Sequence, residues 1–243
     1  MINFKTFFES RWYNDTLPPR FWEGNKFDSE VRRKLLELAA EVAEKAGVTE
    51  AVQDVQLTGS MANFNYTDHS DLDVHILLDF ADINKDEDLV RAALDGKRFI
   101  WNLRHNITMG GHEVELYFQD MEDPHTASGL YSLLNDKWLA VPTHSPPAID
   151  ERDVSVKADG IKKHIDELEI ASRAIKSDEE LIELQDVADA LRKKISVMRK
   201  DSLSQDGEFG IGNLAFKELR NSEYMGKLID VAHKLYDDQY SSD

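Results

Sequence analysis

The stretch "LTGSMANFNYTDHSDLDVHILLDF", residues 57–80, decides how this chain folds. Its right end, "SDLDVHILLDF", reads as a strand. Leu72, Val74 and Ile76 take one face, and Asp71, Asp73 and His75 take the other. Its left end closes a second strand-like run, "AVQDVQLTG", at a Gly-Ser turn. Two carboxylates side by side on one strand disfavour each other's ionisation, so the pair calls for a counter-charge.

Working outward, "DSEVRRKLLELAAEVAEKAG" reads as a helix from Asp28, its N-cap, to Gly47. Val31, Leu35, Ala39, Val42 and Ala46 form its apolar stripe. A second helix is expected over about residues 86–105, weakened by Asp95-Gly96. After the Gly110-Gly111 turn, "HEVELYFQD" is a third strand with Glu113, Glu115 and Tyr117 on one face and Val114, Leu116 and Phe118 on the other. The prolines of "VPTHSPPAID", residues 141–150, disfavour regular structure and set a boundary near residue 147.

Beyond it almost everything has helical period. "SDEELIELQDVADALRKKISVMRK" opens with Ser177 and Glu180 spaced as a capping box, and Leu184, Val187, Leu191, Ile195 and Met198 give a packing face. "SEYMGKLIDVAHKLYDD" repeats the theme with Tyr224, Leu228, Val231 and Leu235. The expected class is α+β: a mixed sheet backed by helices in residues 1–147, then a helical bundle in 148–243.

Composition narrows the function. The 243 residues are 41% hydrophobic and 31% charged, ordinary for a globular protein that buries a core. The net charge of −18 repels phosphate backbones, so extended nucleic-acid binding is not expected. Residues 1–150 carry 14 Lys and Arg against 26 Asp and Glu, so a bound anion there needs a metal ion or a local basic cluster. No apolar run approaches the ~20 residues of a membrane span. The start, "MINFKTFFESRW", lacks a basic region followed by an apolar stretch, so no signal peptide is expected. The absence of cysteine excludes disulfides and thiolate metal sites and suits a cytoplasmic location.

Paired carboxylates on one strand face suit a divalent metal such as Mg²⁺, which takes oxygen ligands and keeps positions open for substrate phosphates. A third carboxylate from a neighbouring strand, Glu115 or Glu113, would complete a site for two ions. Gly59 allows close approach of backbone to phosphate, and Ser60 offers an N–H and a hydroxyl at the start of a short helix.

"LTGS", ten intervening residues and "DLDV" together resemble the signature of the polymerase-beta-like nucleotidyltransferases. The resemblance spans roughly residues 28–120. It implies a mixed sheet backed by helices, a helical C-terminal domain, and transfer of a nucleoside monophosphate from a triphosphate, by default ATP, with release of pyrophosphate. It also implies that Asp71, Asp73 and Glu115 hold two Mg²⁺ ions, with Mn²⁺ able to substitute, and that Gly59 and Ser60 meet the triphosphate while Ser70 orients the loop. "VEL" at Glu115 fits the family's third acid best, with "HEV" at Glu113 the competitor. One departure stands out: small bacterial members often carry Arg where this chain has Asn63. "SGLYSLLNDKWLAVPTHSPP" and "GNLAFKELRNSEYMGKL" resemble segments of uncharacterised nucleotidyltransferase-like proteins, some from phages.

The acceptor implied is a hydroxyl on a small molecule, a protein or an RNA end. Two other readings stand beside that one: a module that kept the fold and binds nucleotide or a partner without turnover, and a toxin or defence transferase. His75 is expected to be a hydrogen-bonded structural histidine. Arg192, Lys193, Lys194, Arg199 and Lys200 form either a solvated helix face or a contact for triphosphate or acceptor.

Overall fold

The structure is a computed structural model that describes residues 12–125, 127–145 and 149–241. The aromatic start through Arg11 and the boundary residue Pro147 fall outside them. The chain divides into two compact units, residues 1–146 and 147–243.

In the first unit a two-strand ribbon, β1 (Trp22–Glu23) and β2 (Lys26–Phe27), leads into α1 (Ser29–Ala46). Next come β3 (Val52–Thr58), β4 (Leu72–Leu78), the single turn α2 (Phe80–Ile83) and α3 (Glu87–Arg104). β5 (Thr108–Met109), β6 (His112–Asp120), β7 (Leu130–Ser132) and β8 (Lys137–Ala140) complete it. The six longer-range strands form one sheet in the order β5-β6-β4-β3-β7-β8. β4 and β6 pair parallel and the other neighbours antiparallel, so the sheet is mixed. A parallel pair needs a crossover, and α2 and α3 supply it.

Local chemistry explains the helix limits. The Asp28 carboxylate accepts the N–H groups of Glu30 and Val31 to start α1, and Gly47 ends it in the left-handed region at φ 76°. Asp86 caps α3 through the Leu89 N–H at 3.1 Å. Asp95-Gly96 does not interrupt α3. A helical glycine costs only about 1 kcal/mol, and burial of Val90 and Leu94 against the sheet outweighs it.

The apolar sheet face carries Leu57, Leu72, Val74, Ile76 and Leu116, which pack with Leu35, Ala39 and Val42 of α1 and with Val90 and Leu94 of α3. β5 shields only the first residues of β6. Further along, the Asn102 side chain on α3 bonds the Leu116 backbone, donating to its carbonyl at 3.1 Å and accepting from its N–H at 3.5 Å. That covers a sheet edge which would otherwise invite pairing. The β1–β2 ribbon and β7–β8 had no clear signal in the sequence, being two to four residues long.

The second unit holds α4 (Glu151–Ser172), α5 (Asp178–Asp206), α6 (Ile211–Asn221) and α7 (Tyr224–Tyr240). Ile165, Leu168, Ala188, Leu191, Ile195, Leu219, Leu228, Val231 and Leu235 form its core. Ser177 accepts the Glu180 N–H at 3.3 Å, while the Glu180 carboxylate reaches back to the Lys176 N–H at 2.8 Å rather than to Ser177 itself. Val187, placed by its spacing on the packing face, is exposed, because the buried face of α5 runs through Ala188 instead. Among the described residues no helix is long and apolar enough to cross a membrane.

Trp22 ties the ribbon to the sheet. Its ring stacks on Trp138 at 4.6 Å, and its indole N–H donates to the Met61 carbonyl at 2.9 Å. Trp22→Ala should destabilise the first unit by about 3–5 kcal/mol in urea unfolding.

Candidate functional site

On the opposite sheet face, polar side chains run across neighbouring strands. The register sets Thr58 of β3 opposite Asp73 of β4, and Asp73 in turn opposite Glu115 of β6. One pair further along, Gln56, His75 and Tyr117 form a second row. Cross-strand partners share a face, so Asp73 and Glu115 are side-by-side neighbours. Asp71 lies one residue before β4, which begins at Leu72, so it belongs to the incoming loop and not to the strand. Glu113 is exposed and pairs with Thr108 near the sheet edge. Of the two competing glutamates, Glu115 is the one beside Asp73.

Gly59 stands at the start of the 59–71 loop with φ 71° and ψ −159°, a conformation open essentially to glycine alone. A β-carbon added there would collide with the Asp73 carboxylate oxygen Oδ2. The backbone therefore passes against the carboxylate with no room for a side chain. Ser60–Ala62 then form one 3₁₀ turn. The Ser60 hydroxyl donates to Ser70 Oγ at 2.9 Å, which also accepts the Thr67 N–H at 2.9 Å. His112 donates from Nδ1 to the Ser70 carbonyl at 2.8 Å. Ser70 is buried and so acts on the loop, whereas Ser60 stays partly exposed.

Asn63 is folded inward. Its amide donates to Ser128 Oγ at 2.6 Å, and its carbonyl oxygen accepts the Phe64 N–H at 2.8 Å. It holds the loop in place of presenting a polar group to an anion. The cation near this face is Arg98 of α3, whose guanidinium lies 4.8 Å from the Tyr117 ring centre. No local pattern marks it, because only the crossover packing brings residue 98 beside strand residue 117.

Electrostatics follow from this layout. Burial first, then the hydrogen bond to Glu115 and the charges of Glu115 and Asp73, push the Tyr117 phenol up, with Arg98 pulling the other way. Tyr117 is therefore a firm hydrogen-bond donor, and its hydroxyl donates to Glu115 Oε2. Burial also lowers the pKa of His75, against the pull of its hydrogen bond to Gln119 and with help from His125 and Arg98. The Nδ1–Gln119 Oε1 bond is 2.5 Å, with Gln119 as acceptor, so the neutral ring carries its proton on Nδ1. This makes His75 the hydrogen-bonded structural histidine expected.

The donors of Asp71, Asp73 and Glu115 fit a hard divalent ion, since all are oxygens. Gln56 Oε1, buried one row away, has no hydrogen-bond partner among the described residues. Yet no group of three His, Asp or Glu side chains among the described residues is closed enough to hold a metal. Tyr117 holds Glu115 through Oε2, and an ionised carboxylate so bonded keeps further lone pairs. The basic run Arg192–Lys200 is solvated, with Arg192 near Asp189 at 3.5 Å and Arg199 over Phe216 at 4.3 Å.

Comparison with known proteins found no matching family model, curated protein or solved structure.

Two outcomes test the site's physics. Gly59→Ala should cost more than about 1 kcal/mol, from backbone strain plus the collision with Asp73, measured by chemical denaturation. The lowered His75 pKa favours folding of the neutral ring, a contribution fully present above the ordinary value of 6.5 and lost as pH falls through the folded value. Unfolding free energy measured against pH should thus fall below pH 6.5, and His75→Gln should flatten that limb.

Proposed function

We propose that this chain is a metal-dependent nucleotidyltransferase that moves a nucleoside monophosphate from a triphosphate, by default ATP, to a hydroxyl acceptor. The observation that carries the reading is the row Thr58–Asp73–Glu115, with Asp71 two residues ahead and the Gly59 backbone against Asp73. Four acidic side chains, Asp71, Asp73, Glu113 and Glu115, lie on or just before two adjacent strands, β4 and β6, and such a face attracts cations.

Asp71 and Asp73 would hold two Mg²⁺ ions, or Mn²⁺, with Glu115 joining them and Tyr117 orienting its carboxylate. When bound, such ions lower the pKa of an acceptor hydroxyl and offset charge on the phosphoryl group. The chain's own residues do the rest. The Gly59–Ser60 turn offers backbone N–H groups and a partly exposed hydroxyl to the triphosphate. Arg98 supplies positive charge where Asn63 supplies none. Glu115 accepts the acceptor's proton as its oxygen bonds to the α-phosphorus and pyrophosphate leaves.

The Tyr117–Glu115 bond favours a second reading, a nucleotide- or partner-binding module without turnover, because it occupies the third carboxylate.

The discriminating experiment incubates purified protein with Mg²⁺ or Mn²⁺ and each labelled triphosphate, with and without cell extract. Pyrophosphate release and a labelled acceptor are expected, with Asp73→Asn reducing the rate roughly 10³-fold. Nucleotide binding with no product under any condition would select the second reading. Neither binding nor product, with Asp73→Asn indistinguishable from the parent, overturns both.

A further inference from the structure

Helix α3 buries one face through Val90 and Leu94, yet a second apolar stripe points to solvent. It comprises Leu89, Ala92, Ala93, Gly96, Phe99, Ile100 and Leu103, all exposed. The four large members are far from buried: Leu89 is 59% exposed, Phe99 62%, Ile100 48% and Leu103 75%. At 100° per residue the stripe spans an arc of about 120° with Gly96 at its middle. A face this apolar on a chain of net charge −18 marks an interaction surface.

We propose that it is the interface of a homodimer in which α3 packs antiparallel on α3 of a second copy, crossing at Gly96. The order of side chains makes the stripe complementary to itself only in that direction. A two-fold axis at Gly96 lays Phe99 of one copy over Ala92 of the other, and Ile100 over Ala93. Each large residue meets a small one on the same flank, offset by one residue, or about 1.5 Å along the axis. Leu89 and Leu103 meet at the two ends. The glycine at the crossing lets the backbones approach closely.

Charge selects the same direction. The first turn of α3 is acidic, with Glu87 and Asp88 after the Asp86 cap, and the last turn carries Arg104, followed by His105. An antiparallel pair sets acidic turn against basic turn twice and opposes the helix dipoles; a parallel pair would stack like on like. The charges beside the crossing already have partners in their own chain. Asp95 lies 3.5 Å from Arg98, and Lys97 donates to the Ala46 carbonyl at 2.7 Å.

Two copies of the stripe would bury roughly 1,000 Å² in total, the lower limit for a specific interface. The expected dimer is therefore concentration-dependent, not obligate.

Sedimentation or light scattering of the full chain tests this. The mass should rise from 27.8 kDa toward twice that value, with a dissociation constant on the order of 10 µM. A β-carbon at Gly96 meets nothing within 4 Å and the position is exposed, so Gly96→Leu should keep the fold, as circular dichroism will check. It should weaken the dimer at least about tenfold by holding the helices apart. The chain has no cysteine, so Ala92→Cys with Phe99→Cys should give a disulfide dimer on mild oxidation while Ala92→Cys alone gives none. A monomer at every concentration up to about 200 µM, a dimer indifferent to Gly96→Leu, or self-crosslinking through position 92 alone overturns the proposal.

Discussion

The Asp73 carboxylate and the Gly59 backbone lie so close that no side chain fits between them, and the first unit is arranged around that contact. Gly59 ends β3 and Asp73 is the second residue of β4, paired with Thr58. The contact therefore pins the loop that joins these strands to the strand it leads into. Trp22 braces that loop through Met61, Asn63 through Ser128, and Asn14 through the carbonyls of Phe64 and Tyr66. His112 holds its far end at Ser70. A thirteen-residue connection spends much conformational entropy in being ordered, and these bonds are what offset it.

A sheet with one apolar and one polar face poses an energetic problem, since buried polar groups must find partners. Here they find one another. Asp54 accepts from Gln56 at 3.1 Å and from Ser132 at 2.7 Å, and Tyr117 donates to Glu115. The His75 Nδ1–H donates to Gln119 Oε1. The networks order the polar face, and they also engage groups a ligand would use. The Tyr117–Glu115 bond is the sharpest case, because Glu115 is the third carboxylate of the proposed site.

Much of this was legible in the sequence, for identifiable reasons. Alternation over 72–78 and 112–120 produced both strands because burial on one face imposes period two. Asp28 and Ser177 acted as caps because a short polar side chain meets orphan N–H groups wherever a helix starts. Other features left no local trace. Val187 has the spacing of a packing residue, but which side of α5 faces its neighbours depends on where α4, α6 and α7 lie. Asn63 looked like a lost basic contact and proved to be a brace for the loop. Ser70 turned out buried, because its hydroxyl is consumed within the loop.

The sequence by itself determined β3, β4 and β6, the caps of α1 and α5, the α+β class and the residue types that could carry chemistry, because each follows from short-range periodicity or local hydrogen bonding. Only the tertiary structure decided which of those residues meet. The parallel pairing of β4 with β6 puts Glu115, and not Glu113, beside Asp73. The crossover sets Arg98 over Tyr117 and leaves the Leu89–Leu103 stripe of α3 facing outward. Such contacts join residues tens of positions apart. Register and packing across the sheet fix them, and no local pattern in the chain encodes either.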